Sequence, residues 1–223
     1  MSTIVLKIAN LNIRVYYQYN LFYELSKKYV LDNYNHVDIE LNDIDNNKYL
    51  INNKPEVAEV LAILDCFAKH IYDYNMLLVH GAAIEYKNKA YLFMGPSGIG
   101  KSTHIKFWKQ ALDNITIING DKPVIDDNGF VYGTPWSGKE RWNSLVSYKL
   151  ESLIFIYRDT YNHIEKTNGS DILQDLLNGI NLPEYSAKCF DLVNKAFSGI
   201  TIYKMFCTNH ISAAKLCISE VVR

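Results

Sequence analysis

The octapeptide GPSGIGKS, residues Gly95 to Ser102, constrains this chain more than any other stretch. It fits G-x-x-x-x-G-K-[ST] at every fixed position. At average glycine usage such a match arises by chance in about one chain of this length in a hundred. Its surroundings narrow the reading further. The apolar run AYLFM precedes it and the helical pattern KSTHIKFWKQAL begins at its lysine. A glycine-rich turn entering a helix there aims backbone N–H groups inward and adds the positive end of the helix dipole, which together suit an anion. A plain glycine turn between strand and helix would leave Lys101 and Ser102 without a reason.

Residue chemistry then assigns roles. Gly95, Pro96, Ser97, Gly98, Ile99, Gly100, Lys101, Ser102 and Thr103 are the expected nucleotide-binding residues. Lys101 neutralises β and γ oxygens and Thr103 reaches the α-phosphate. The Ser102 hydroxyl suits Mg²⁺, which takes few protein oxygens and keeps most of its waters. A carboxylate near the ion is also needed. Asp121 ends the apolar run ITIING about twenty residues after Lys101, room for one helix and one strand, so the strands before Lys101 and before Asp121 are expected to be close neighbours. Asp121 also reads as a turn residue before Lys122-Pro123. Asp126 and Asp127, in DDNG, read as a hairpin tip. In YGTPWSGKERW (residues 132–142), Lys139 and Arg141 supply positive charge for a transferring phosphoryl group, or else form a solvated loop held by Trp136 and Trp142. His104, His163 and His210 read as structural.

Along the chain, IVLKI, LNIRVYY and HVDIEL read as short strands, with the helix-like LFYELSKKYVL between them. The spacing predicts a helix over 55–72 with proline at its start. The expected organisation is a β-rich N-terminal segment with a lead-in helix (1–75), followed by an α/β core (76–223). MLLVHGAAIEY and AYLFMG flank Lys87, Asn88 and Lys89 as an antiparallel hairpin. Centred on Asn88, that hairpin sets His80 opposite the Pro96 region, beside the glycine loop. Later come a strand (LESLIFIYR), a helix (SDILQDLLNGI) capped by Ser170, a helix over 183–197, a strand over 200–206 and a helix over 211–222. There are no repeats and no obvious linker.

The 223 residues carry 23 Lys and Arg against 24 Asp and Glu, a net charge of −1. The basic residues form no stripe, so neither nucleic acid nor an anionic membrane is an expected partner. No apolar run approaches a membrane span, and a cytoplasmic protein is expected. The four cysteines make no CxxC pair, which speaks against structural zinc or a disulfide framework and for buried thiols.

HGAAI, GPSGIGKST, NGDKPVI and YGTPWSGKE, in this order and spacing, resemble the HPr serine kinase/phosphorylase family and, more distantly, the ATP-dependent phosphoenolpyruvate carboxykinases that share its core. The likeness is nearest to the short HPr-kinase-like proteins of bacterial peptide-modification clusters, including those acting on lasso precursor peptides. IFIYRD, ILQDLL and the tail ITIYKMFCTNHISAAKLC extend it over residues 76–222. The resemblance implies an α/β fold, a PEP carboxykinase/HPr kinase-like P-loop core with a mixed sheet. It implies ATP and Mg²⁺ as cofactors, a peptide or protein substrate bearing an acceptor serine, and an interface between copies, since HPr kinases are hexamers. It places His80 near the γ-phosphate, and gives Asp121 both Mg²⁺ binding, with Ser102, and deprotonation of the acceptor. With Lys101 and Lys139, these complete the expected catalytic set. Full-length HPr kinases carry two adjacent aspartates where this chain has Gly120-Asp121, so either one carboxylate serves metal and base or His80 helps it, and Gly120 is the position at which the second would be restored. The segment that grips HPr has no clear match, and neither phosphorolysis nor carboxykinase activity is expected. The expectation is thus a serine kinase acting on a peptide or protein. A metabolite kinase and a nucleotide-sensing module without catalysis are the alternatives.

Overall fold

The computed structural model describes residues 1–182 and 186–222. β1 (Ser2–Ile8) and β2 (Leu11–Tyr17) form an antiparallel hairpin. It is followed by α1 (Asn20–Ser26), a 3-10 turn (Lys27–Tyr29), β3 (Ile39–Leu41, parallel to β2), α2 (Asn47–Leu50) and α3 (Pro55–Tyr72). α3 keeps the expected bounds: proline fits the first helical turn, where an N–H would have no partner, and Ile63, Phe67 and Ile71 share the buried face. That face, the inner side of the small sheet and Trp136 form one apolar cluster, each large buried side chain contributing about 1.5–3 kcal/mol. Glu59 of α3, itself buried, accepts hydrogen bonds from the backbone N–H groups of Gln18 (2.6 Å) and Tyr19 (2.9 Å). Its charge is thereby compensated, and α3 is tied to the end of β2.

The remaining strands are β4 (Met76–Val79), β5 (Gly81–Tyr86), β6 (Lys89–Met94), β7 (Thr116–Asn119), β8 (Val124–Asp126), β9 (Phe130–Tyr132), β10 (Ser147–Arg158), β11 (His163–Thr167), β12 (Ile180–Asn181) and β13 (Thr201–Cys207). Among the described residues they make one large mixed sheet in the order β12-β4-β8-β9-β10-β6-β5-β7, with β13 beside β10 and β11 on β13. The helices are α4 (Lys101–Ala111), α5 (Gly169–Asn178), α6 (Ala187–Ala196) and α7 (Ile211–Val221). The architecture is therefore mixed α/β, with a large mixed sheet and a small N-terminal sheet. Among the described residues no helix is long and apolar enough to cross a membrane.

Four expectations need correction. MLLVHGAAIEY is two strands: β4 pairs with β8 and β12, β5 with β6 and β7, and the chain changes partners at His80. β4 is buried throughout and β5 as far as Glu85, so apolar content could not mark the break. The strands leading to Lys101 and Asp121, β6 and β7, are not adjacent, because β5 lies between them and pairs antiparallel with each. The hairpin pairs Tyr86 with Lys89, so its centre falls between Lys87 and Asn88. Both have positive φ (53° and 62°), as a two-residue type I′ turn requires. The α5 cap is Asn168, whose side chain accepts from Asp171 N, and Ser170 donates to Asn168 instead. The expected helix start at Pro183 lies outside the described residues; from Ser186, whose side chain caps at Cys189 N, α6 runs as Ala187–Ala196.

Candidate functional site

The glycine loop joins the end of β6 to the start of α4. Gly95, Gly98 and Gly100 have φ of 142°, 77° and 120°, values that side chains disfavour. A Cβ on Gly95 would also stand 3.0 Å from the Ile156 carbonyl oxygen. The glycines thus let the loop turn tightly over β10 and enter α4 at Lys101, where the first N–H groups of the helix have no intrahelical acceptor. Lys101 is buried and folds back, Nζ donating to the carbonyls of Gly95 (2.7 Å) and Pro96 (3.2 Å). Burial holds its pKa below the ordinary lysine value, while Asp121 pulls it up and Lys122 pushes it down. Ser102 and Thr103, half-buried, follow in the same turn.

His80 faces Lys101 across the hairpin. The register sets Gly81 opposite Met94, which brings the preceding residue to the start of the loop. His80 Nε2 lies 3.5 Å from Lys101 Nζ and 3.4 Å from Asp121 Oδ1. One ring nitrogen can accept from the lysine or donate to the carboxylate but not both at once, so the proton's position on His80 decides which neighbour it serves. The histidine is pinned on both sides: its own N–H donates to Gly179 O (2.6 Å) and the next, of Gly81, to Asp121 O (2.9 Å).

Asp121 is presented by a turn built on buried Asn119. The Asn119 side-chain oxygen accepts from the N–H groups of Asp121 (2.9 Å) and Lys122 (2.7 Å), and its amide donates to Thr134 O (3.0 Å) and Thr134 Oγ1 (3.2 Å). The 134–142 loop forms the wall behind. Gly120 N donates to Trp142 O (2.8 Å), and a Cβ on Gly138 would stand 3.2 Å from Asp121 Cβ. Trp136 anchors this wall, its ring 5.0 Å from Phe67 and 6.1 Å from Phe22, its Nε1 donating to Val60 O. A Cβ on Gly120 itself would come 2.7 Å from Ser137 O. The idea of restoring a second aspartate there therefore fails on space: the wall has closed over that position.

The structure thus brings Lys101, His80 and Asp121 together, with Ser102 at the mouth of the helix. Lys139 follows Gly138, which packs against Asp121, and its side chain is exposed, with no hydrogen bond or ion pair among the described residues. Its neighbour Glu140 instead pairs with Lys106 of α4 at 3.4 Å. Two cations that sequence reasoning passed over stand close by. Lys122 is half-buried, its pKa lowered by that burial, with Asp121 and Asp65 opposing, and its Nζ is 3.5 Å from Asn181 Oδ1. Arg158, at the end of β10, donates to the loop carbonyls of Gly98 (2.5 Å) and Ile99 (3.4 Å). Two clefts flank the loop, separated by Ile99, Ile156 and Arg158. One, about 470 Å³, is lined by Thr103, Phe107, Asp159 and Asn209; the other, about 380 Å³, by His80, Pro96, Tyr157 and Asp175. Of the three histidines read as structural, His104 is buried against Phe93 and lines the larger cleft, His163 stacks on Phe206, and His210 caps α7.

Around the loop Lys101, Lys122 and Arg158 are matched by Asp121, Asp159 and Asp175, so it is the unpartnered N–H groups at the start of α4, rather than a surplus of side-chain charge, that suit an anion. No family model matches this chain, and no curated protein matches it.

Proposed function

We propose that the protein is an ATP- and Mg²⁺-dependent kinase that transfers the γ-phosphoryl group to a serine hydroxyl of a peptide or protein, built on a P-loop core of the HPr kinase-like kind. The observation carrying this reading is the meeting of Lys101, His80 and Asp121 at the head of a glycine loop that ends in a helix N-terminus. The residues present suit the nucleotide and ion. The Lys101 ammonium rests on loop carbonyls and is free to exchange them for phosphate oxygens, and Ser102 and Asp121 offer the hard oxygen donors that Mg²⁺ prefers. When bound, the ion would neutralise charge developing on the phosphates.

In this reading Thr103 and the larger cleft receive the nucleoside side, and the cleft beside His80 receives the acceptor. Asp121 accepts the hydroxyl proton, and His80, in contact with it, fixes the carboxylate's orientation. Lys101 and Lys122 offset negative charge on the transferring group, so that catalysis rests on positioning and electrostatics. Lys139 enters only from the loop above. A second reading, a kinase of a small hydroxylated metabolite, draws support from the acceptor-side cleft, whose volume of about 380 Å³ is in the range of small-molecule sites.

The test is transfer from γ-labelled ATP with Mg²⁺ to serine-ended peptides, for the wild type, Lys101→Ala and Asp121→Asn. Lys101→Ala is expected to lose nucleotide binding. Asp121→Asn is expected to keep nucleotide while transfer falls about 10²–10⁴-fold, the usual worth of a general base. Undiminished transfer in Asp121→Asn would remove Asp121 as the base. Nucleotide binding with no transfer to any peptide would favour the metabolite or a sensing role, and no nucleotide binding would end the reading altogether.

A further inference from the structure

A second cluster of chemically capable side chains lies away from the glycine loop, where the segment after β3 meets α3. Cys66 and His70 are one helical turn apart on α3, and Asp43 reaches them from the other side. Cys66 Sγ is 2.9 Å from Asp43 Oδ1, and His70 Nε2 is 3.9 Å from the same oxygen. The donor atoms of all three lie within 4.8 Å of one another. We propose that Cys66, His70 and Asp43 bind a borderline divalent transition-metal ion, Zn²⁺ by its ligand preferences, with water completing the tetrahedron.

Four features support the assignment. The ligand types, one thiol, one imidazole and one carboxylate, are those Zn²⁺ takes, whereas Mg²⁺ and Ca²⁺ want oxygen alone. Zn–ligand bonds of 2.0–2.3 Å at tetrahedral angles put donor atoms about 3.4–3.6 Å apart. The separations of 2.9 and 3.9 Å bracket that range, and with the thiol 3.7 Å from His70 Nδ1, rotation of the exposed Asp43 and half-buried His70 side chains is what brings Nε2 to the ion. The backbone also offers the imidazole a suitable second partner. Nδ1 is 2.8 Å from the Cys66 carbonyl oxygen, which can only accept, so a proton on Nδ1 is satisfied there and leaves the Nε2 lone pair for the metal. Finally, the Asp43 side chain is 64% exposed, leaving an open side for entry and for the water.

Binding breaks the Cys66 S–H bond, forms an S–metal bond and releases the proton to solvent. Without an ion, burial and the neighbouring Asp43 carboxylate push the Cys66 thiol up to about 12, so the group is then an inert thiol donating to Asp43. The absence of a CxxC pair excludes the closed four-thiolate kind of site but not this open one with three protein ligands. The ion would clasp the segment carrying Asp43 onto α3, in the cluster that also holds Trp136.

Cobalt(II) is the probe, added to the intact protein under a phosphine reductant and followed by absorbance. The expected result is one equivalent with a near-ultraviolet thiolate-to-cobalt band and visible bands of tetrahedral intensity, all displaced by Zn²⁺. Cys66→Ala should abolish the charge-transfer band. Asp43→Asn, on the exposed side, should keep the fold and raise the titration midpoint at least about tenfold, since even outer-shell partners are worth about 10–100-fold. Lys101→Ala should bind cobalt as the wild type does, and loss of the band in Cys66→Ala separates this site from the proposed nucleotide site, whose larger cleft is lined by the thiol of Cys207. Absence of the band at saturating cobalt, its persistence in Cys66→Ala, or an unchanged midpoint in Asp43→Asn would each overturn the proposal.

Discussion

Replacing Gly120 by alanine isolates the question of why this chain has one carboxylate at its candidate site. Gly120 is not among the glycines with positive φ, so its backbone would accept a side chain and the obstacle is space alone. The added Cβ would stand 2.7 Å from the Ser137 carbonyl oxygen and 3.4 Å from Trp142 Cβ. Ordinary contact begins at 3.4 Å, about 0.7 Å beyond the first of these. The oxygen belongs to backbone and cannot swing aside. Its segment is held by Lys122 N donating to Trp136 O (3.1 Å), by Asn143 Nδ2 donating to Ser137 Oγ (3.1 Å) and by buried Trp136. Relief therefore requires the wall to shift, and overpacking of this kind costs about 1–3 kcal/mol. In a chain of this size that corresponds to a fall in Tm of about 2–12 °C. Urea unfolding of Gly120→Ala and wild type, with equal m-values, measures the difference directly. Gly120→Asp should be no more stable than Gly120→Ala and should gain no activity. An alanine variant within about 0.5 kcal/mol of wild type, the range of an ordinary surface change, would refute the steric argument.

Two further outcomes follow from buried groups. Burial pushes His104 down to about 4 from 6.5, so it folds neutral; its stabilising term is fully present above about pH 6.5 and is lost as pH falls through 4. The loss amounts to about 3 kcal/mol at pH 4, and His104→Leu should flatten the pH dependence of unfolding by that amount, whereas parallel curves for the two proteins would contradict the burial of a neutral ring. Trp136→Ala removes the ring between Phe22 and Phe67 and its hydrogen bond to Val60 O. A loss of about 3–5 kcal/mol is expected in chemical unfolding, and Trp136→Phe, which keeps most of the apolar contact, should recover over half of it.

What could be read from the chain depended on how local the cause was. The glycine loop, α3 with its proline start and the hairpin that carries His80 to the loop all rest on short-range chemistry, and each was legible within a residue or so. The hairpin centre shifted because Lys87 and Asn88 both take positive φ, a two-residue turn that the string KNK does not announce. The division of MLLVHGAAIEY was illegible because both halves are buried and equally apolar; only their partners, β8 on one side and β6 on the other, distinguish them. Asp121 could be singled out, but Asn119, which shapes its turn, and Lys122, beside it, acquire meaning only from Thr134 and Asn181. Cys66 and His70 show helical spacing in the sequence, yet Asp43 joins them through the fold of the N-terminal segment. Lys139 was singled out by charge alone, and the structure leaves it exposed, one residue after the Gly138 that packs on Asp121.

The change of partners at His80 bears on when the molecule becomes competent during synthesis. That one residue is fixed by backbone bonds to Gly179 and, through Gly81, to Asp121, while its ring meets Lys101. A nascent chain that has emerged only to the end of α4 already owns the glycine loop and the hairpin that carries His80 to it, but lacks the backbone contacts from Asp121 and Gly179 that pin the histidine on both sides. Contacts so distant in sequence close late, because the entropy of the intervening chain must be overcome first. The fully pinned histidine, on which the proposed nucleotide site would rest, is therefore complete only after residue 179 is in place, and a truncated or half-folded chain would carry the motif with His80 less firmly held.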